Sequence, residues 1–293
     1  MNRLLRASFP YLLVAPAVAL LFAVLAYPLS YSFWLSFHEW TLRGFRSGVP
    51  FVGLDNYIHL FSEPKFWRSM RVTILFMLGA ISLEFILGMA VALLVNQNIR
   101  GRGVIRSLIL LPMMTTNVVI GLGWRMMFSY DAGVINWMLS AVGIPPVTWL
   151  SSINMALPSL IIVDVWNTTS FVALILLAGL QALPEEPVEA ALIDGASNWQ
   201  VFRYITLPLL RPTILVALLW RIIDTFRIFD VVFTLTGGGP ANATEVISLY
   251  TYRNGFQKFD LGFASAISYA MIAMMLIVAF VLFRLIGRTE QIF

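Results

Sequence analysis

The stretch Pro184-Glu185-Glu186-Pro187-Val188-Glu189-Ala190-Ala191-Leu192-Ile193-Asp194-Gly195-Ala196-Ser197-Asn198-Trp199-Gln200-Val201-Phe202-Arg203-Tyr204-Ile205-Thr206-Leu207-Pro208 separates two long apolar segments. Pro184 and Pro187 end what precedes and pre-organise a helix start. Glu185, Glu186 and Glu189 then fall in the first turns, where acids suit the helix dipole, and Ala190, Ala191 and Leu192 favour helix. Gly195 permits a turn or a close approach. A second amphipathic stretch runs from Trp199 to Ile205 and leads into Pro208. The pattern predicts a short helix, a glycine joint and a second helix, held against one face of a membrane. A helix of alanines with one acid presents little bulk and can seat in a partner's groove.

Working outward, apolar runs of about 20 residues, each enough to cross a bilayer, flank this loop on both sides. The predicted spans are 11–35, 70–95, 107–128, 155–181, 209–235 and 263–286, giving an all-α integral membrane protein with six transmembrane helices. The loop is 184–208, and the whole chain, 1–293, reads as a single membrane domain without internal repeat or long linker. Pro112 and Gly121 in the third run are compatible with a membrane helix, because neighbours re-satisfy the freed backbone groups. The stretch 130–153, with Pro145-Pro146, Trp137 and Trp149, reads as an interfacial loop with a short helix. Gly237-Gly238-Gly239-Pro240 is a helix stop after the fifth run. The first run is too long for a cleaved leader, so it is expected to be retained.

Composition agrees. The 293 residues are 59% hydrophobic and 12% charged, and a soluble domain carries about 25% charged residues. The mean hydropathy is +0.85. Disorder is excluded, since it needs low hydrophobicity and high net charge. With no cysteine there is no disulfide, thiolate metal site or cysteine nucleophile. The two histidines, His38 and His59, fall outside the predicted spans, which leaves little for base catalysis or a metal site. The two lysines, Lys65 and Lys258, follow Pro64 and Gln257, so neither completes a phosphate-binding Gly-x-x-x-x-Gly-Lys-[Ser/Thr] loop. The net charge of +4 is read as orienting loops in a membrane rather than as contacting nucleic acid.

Six spans put both termini on one side. With the termini inside, the inner set is Arg3, Arg6, Arg100, Arg102, Arg106, Arg203, Arg211, Arg284 and Arg288. The outer set is Arg43, Arg46, Lys65, Arg68, Arg71, Arg253 and Lys258. The strongly basic loop after span two, against a stretch 130–153 free of lysine and arginine, favours cytoplasmic termini.

Charged and polar residues inside the spans are functional candidates. Arg221, Asp224, Arg227 and Asp230 recur every three residues in the fifth run. Either they form an ion-pair ladder that fixes packing, or Arg227 or Asp230 lines a transport path. Trp166, Asn167 and Thr168 sit near the middle of the fourth run beside Asp164, and offer a ring face and hydrogen bonds of the kind that hold sugars. Asn117 and Trp124 share a face of the third run. For all of these, helix–helix packing is the alternative role. Arg125 is expected to snorkel or pair with an acid, and Glu84 to be the buried partner of a group that the sequence does not identify.

The signature Glu189-Ala190-Ala191, Gly195 and Ile205-Thr206-Leu207-Pro208 resembles, without departure in spacing or type, the loop of permease subunits of binding-protein-dependent ABC importers. Phe226-Arg227-Ile228-Phe229-Asp230 with Leu235-Thr236-Gly237-Gly238-Gly239-Pro240, and Phe51-Val52-Gly53-Leu54-Asp55-Asn56-Tyr57, are similar to the sugar-importer branch of the maltose and glycerol-3-phosphate type. The large extra outer domain of the maltose-permease large subunit has no counterpart here. The resemblance implies a type I importer permease in the inner membrane of a bacterium or archaeon, without catalytic residues, metal or cofactor of its own. It implies a second permease subunit, two ATPase subunits carrying ATP and magnesium, an extracytoplasmic solute-binding protein and surrounding lipid. Glu189, Ala190, Ala191, Asp194, Gly195, Ile205, Leu207 and Pro208 are then the ATPase-coupling residues, with Glu189 facing a basic residue of the ATPase groove. An ion-gradient-driven transporter would instead show inverted repeats, and an intramembrane enzyme would need a nucleophile or metal cluster. Neither accounts for the signature loop.

Overall fold

The computed structural model describes residues 13–41, 48–97 and 101–289. Tyr11, at the expected start of the first span, and Arg3, Arg6, Arg43, Arg46 and Arg100 lie outside the described residues. The architecture is all-helical. Two isolated antiparallel bridges, His38–Phe51 and Thr41–Asp260, are the only β pairings among the described residues.

Among the described residues, four helices are long and apolar enough to cross a membrane: α1 (Leu13–Leu35), α3 (Pro64–Asn96), α7 (Ile153–Gln181) and the first 24 residues, Leu261–Arg284, of α13 (Leu261–Thr289). Between α1 and α3 lies the short α2 (Asp55–Ser62). These runs follow the expected first, second, fourth and sixth spans closely, because a continuous apolar sequence leaves helix as the open backbone solution in lipid.

The third and fifth runs are not single helices. The third is α4 (Arg102–Leu110), a 3-10 turn at Pro112–Met114, and α5 (Asn117–Met127). Pro112 removes a backbone donor and ends the first piece, and Thr115 and Thr116 are extended before α5 begins. The fifth is α10 (Arg211–Phe226), a break at 227–229, and α11 (Asp230–Leu235). No proline or glycine makes that break; the Ser248 hydroxyl donates to the Ile228 carbonyl there, which satisfies an acceptor that a continuous helix would have used. The helical segment α9 (Asn198–Leu209) meets α10 at 64°, and the pair together is apolar enough to form a fifth, broken span. The remaining elements are α6 (Val134–Ala141) in the loop expected to be interfacial, α8 (Glu186–Ile193), and α12 (Ile247–Tyr252).

The chain divides into two compact units. One comprises 1–64 and 251–273. In it the turn after α1 is pinned by the motif at 51–57: Asn56 Nδ2 donates to the carbonyls of Ser36 (2.9 Å) and His38 (3.1 Å). The Tyr57 hydroxyl meets Ser36 Oγ at 2.8 Å. The Asp260 carboxylate caps α13 by accepting from the Phe263 N–H at 3.0 Å. Burial pushes that carboxyl above its ordinary range; the Phe263 bond pulls it back, and Glu39 pushes the same way as burial.

The other unit comprises 65–250 and 274–293. Its centre is α7, which buries residues along most of its length, from Ala156 to Leu180. Ala92 and Val95 of α3, Val172, Leu176, Leu177 and Leu180 of α7, and Leu210 at the α9–α10 corner form a continuous apolar cluster. Leu210 is fully buried. Its side chain is packed in this cluster against α3 and α7, and such close contact is what holds helices together in lipid, so the corner is anchored in the core rather than floating at its edge.

Candidate functional site

Two regions carry the polar groups that a membrane bundle has to account for. The first lies where α3, α7 and α10 meet. Arg221, 1% exposed, donates through Nε and Nη2 to the two carboxylate oxygens of Glu84 at 2.6 and 2.7 Å. Its Nη2 also reaches Asp164 at 2.8 Å, and its Nη1 reaches Asp224 at 2.9 Å. Thus Arg221 is the partner of Glu84 that sequence spacing did not reveal, and the three-residue ladder is half right. Arg221–Asp224 and Arg227–Asp224 (3.4 Å) pair along the helix, but the stronger bonds cross to two other helices. A lone buried guanidinium would be prohibitive, and the three carboxylates offset its desolvation.

Beside this cluster opens a cavity of about 230 Å3 lined by Asn117, Asn167, Thr168, Thr225, Arg227 and Asp230, together with Asp164, Arg221 and Asp224. The breaks in the third and fifth runs place it. Asn117 begins α5 and Asp230 begins α11, so each interruption delivers a polar residue to the cavity at a helix start. The two pieces are close-packed: a Cβ on Gly121 of α5 would sit 1.8 Å from Thr234 Oγ1 of α11. Arg125, near the end of α5, donates to the Thr234 carbonyl at 3.4 Å rather than to an acid. Asn167 Nδ2 faces Asn117 Oδ1 at 3.4 Å. The Asn167 Oδ1 and Thr225 Oγ1 atoms are buried without a hydrogen-bond partner.

Of the path candidates, then, Asn117, Asn167, Thr168, Arg227 and Asp230 come together around one cavity. Trp124 and Trp166 are not in its lining; they meet each other edge to face at 5.6 Å. Trp166 is turned about 100° from its neighbour Asn167, whereas Trp124 shares the face of Asn117 but lies seven residues, about 10 Å, further along the helix. Sequence reasoning passed over Thr225, which carried no signal beyond being a hydroxyl next to a charged residue.

The second region is the loop at 184–208. Here α8 begins with Glu186, Pro187 and Glu189 in its first turn and buries none of its residues. It ends in a complete left-handed stop: Gly195 has φ +84°, its N–H donates to the Leu192 carbonyl at 3.1 Å, and the Ala196 N–H donates to Ala191 at 2.9 Å. This is the double-bonded C-terminal motif that glycine favours. Two residues on, Ser197 and Gln200 form a reciprocal capping box, with Ser197 N donating to Gln200 Oε1 at 2.7 Å. Sequence reasoning passed over this box, although Ser-x-x-Gln is a known start signal. The chain continues through a π-turn at Phe202–Thr206, which includes Ile205, into Leu207 and Pro208 and the buried Leu210. Glu189, Ala190, Asp194 and Gly195 are exposed, as are the apolar Leu192, Ile193 and Trp199. The helix–turn–helix is therefore built by its own hydrogen bonds and presents an apolar, acidic surface.

An apolar helical bundle with a polar cavity set against a closed ion network, and a preformed helix pair in one loop, defines a polytopic membrane transport protein. The chain belongs to the family of binding-protein-dependent transport system inner membrane components, whose model matches residues 84–291. It is 42% identical over 286 residues to the trehalose/maltose transport system permease protein MalF of Thermococcus litoralis, covering 97% of this chain and 95% of that one. It is 35% identical over 286 residues to the trehalose transport system permease protein SugA of Mycobacterium tuberculosis, covering 98% and 91%. In fold it matches a chain of a bacterial ABC transporter involved in import of the acidic polysaccharide alginate, with a TM-score of 0.83, 24% identity and 97% coverage of both chains.

Proposed function

We propose that the chain is one permease subunit of an ATP-driven sugar importer, working as a single six-span unit in which the broken third and fifth runs each count as one crossing. Both termini face the cytoplasm. The cavity beside Asn117, Asn167 and Thr168 is this subunit's share of the translocation path, and a second permease subunit completes it. An extracytoplasmic binding protein delivers the solute. Two ATPase subunits, which carry ATP and magnesium, receive α8 in a groove, with Glu189, Ala190, Ala191, Asp194 and Gly195 at the contact and Ile205, Leu207 and Pro208 fixing the exit into α10.

The observation that supports the path is that the amide and hydroxyl residues Asn117, Asn167, Thr168 and Thr225 line one polar cavity in a chain of this family. Amide and hydroxyl side chains can exchange hydrogen bonds with solute hydroxyls, each worth about 0.5–1.5 kcal/mol net. The test is uptake by the assembled transporter in vesicles. Asn167→Ala is expected to lower uptake about fivefold to thirtyfold, the loss of one or two hydrogen bonds. Stimulation of ATP hydrolysis by loaded binding protein should persist. Unchanged uptake would overturn the assignment. The relatives' names run from trehalose and maltose to an acidic polysaccharide, so family membership leaves the charge of the solute open.

A further inference from the structure

We infer that the cavity at the α5–α7–α10–α11 junction is a charge filter: it admits uncharged or cationic polyhydroxylated solutes and rejects anionic ones such as uronates, sulfonates and sugar phosphates. This rests on the reading of the cavity as part of the transport path.

The inference comes from counting what each charge is free to do. Five ionisable groups line the cavity: Asp164, Asp224 and Asp230 against Arg221 and Arg227. Arg221 is not available to a ligand. Four of its five N–H donors already go to Glu84, Asp164 and Asp224. Arg227 is the remaining cation. It is well exposed, but its nearest charged partner is Asp224 at 3.4 Å, and Asp230 lies three residues further along the chain at the start of α11. An anion that approached Arg227 would compete with Asp224, which already pairs with it, and would pass Asp230 at the start of α11. Asp230 makes no ion pair among the described residues, so its charge faces the cavity uncompensated.

What the cavity offers a ligand is of a different kind. Asn117 and Asn167 supply amides, Thr168 a hydroxyl, and the buried Asn167 Oδ1 and Thr225 Oγ1 lack partners. Thr225 adds a hydroxyl-bearing residue to the same lining. Amide and hydroxyl groups bind solute hydroxyls and carry no charge. A cavity with neutral hydrogen-bonding walls and an excess of carboxylate holds a negative potential, which low-dielectric surroundings intensify.

The experiment uses the absence of cysteine from this chain. Asn117→Cys places a single thiol of this subunit in the cavity. Ser151→Cys, in a stretch 132–163 with no charged residue, is the control on an exposed loop. In the assembled transporter in membrane vesicles, with the partner subunits' cysteines replaced, the rates of modification by a cationic and an anionic methanethiosulfonate are measured at both positions. The cation-to-anion rate ratio for the Asn117→Cys thiol is expected to exceed the control ratio about tenfold, the effect of one unscreened charge at several ångströms in a medium of intermediate dielectric. Asp230→Asn in the same background should lower it, and added salt should shrink it. A ratio at or below the control overturns the filter while leaving the path intact. A raised ratio that ignores Asp230→Asn overturns its assignment to this chain. An Asn117→Cys thiol that neither reagent reaches, with or without nucleotide and binding protein, overturns the path and the filter together.

Discussion

Gly195 is the position where one substituent tests how the loop between α7 and α9 works. Its φ of +84° is a conformation that L side chains rarely adopt, and an added Cβ would meet nothing within 4 Å in this chain. The cost of a substitution within the subunit is therefore backbone strain alone. That strain is about 1–2 kcal/mol for alanine, more for a β-branched residue, and less for asparagine, which visits this region readily. Loss of the left-handed stop would release the Gly195 and Ala196 N–H bonds to Leu192 and Ala191 and unfasten α8 from the capping box at Ser197. Three variants in the reconstituted transporter separate the causes: Gly195→Asn, Gly195→Ala and Gly195→Val. If the bend is what matters, coupled uptake falls in that order, with alanine about fivefold to thirtyfold down, while the subunit remains in the membrane. Uncoupled ATP hydrolysis or loss of the ATPase subunits on purification should accompany the fall. If all three fail equally, the limiting factor is space in the partner's groove and not φ. Normal coupled uptake by Gly195→Val would refute the reasoning.

Three further outcomes are expected. Glu189→Lys should reduce co-purification of the ATPase subunits more than Glu189→Ala, since it adds repulsion to a lost attraction; equal retention by both would remove Glu189 from the contact. Arg221→Met leaves three carboxylates crowded at the α3–α7–α10 junction and should destabilise the subunit by about 3–5 kcal/mol, the usual cost of breaking a buried ion pair, read as a lowered thermal midpoint in detergent and largely recovered in Arg221→Met/Glu84→Gln. Because burial raises the Asp260 carboxyl, the fold holds that proton more tightly than the unfolded chain does. Its contribution is full below the ordinary aspartate pKa of about 3.9 and is lost as pH rises through the higher folded value. Asp260→Asn keeps the helix cap and should flatten that part of the stability–pH curve; a slope that persists in the variant would assign it to another group.

The parts that sequence reading anticipated are the ones governed by neighbours in sequence. A run such as 153–181 has one workable backbone in lipid, so α7 follows from composition. The loop at 184–208 was equally legible, since its prolines, acids and Gly195 are local stop and start signals; the box at Ser197 and Gln200 was there to be read and was passed over. What escaped was set by distance. Arg221 and Glu84 are 137 residues apart, and no spacing rule links them. The break at 227–229 has no helix breaker in it; a hydroxyl from Ser248 helps to hold it. Asn117 and Asn167 were picked out singly for being polar within apolar runs, but their meeting at one cavity depends on two interruptions, of which only Pro112 was visible.

The corner at Leu210 gives α10 a mechanical character. Leu210 is sunk in the cluster formed by α3 and α7, and α9 turns through 64° there into a helix whose far end carries Arg221, Asp224 and Thr225. From Arg211 to Phe226 that helix is 16 residues, or about 24 Å long. The arrangement is a rocker: a short arm at the loop, a pivot in the core and a long arm that ends at the cavity wall. A rocker has no preferred direction of drive. If a push on α8 changes the cavity's grip on its solute by some factor, then solute in the cavity must change the grip on α8 by the same factor. In the proposed importer the loop at one end would therefore report the occupancy of the other.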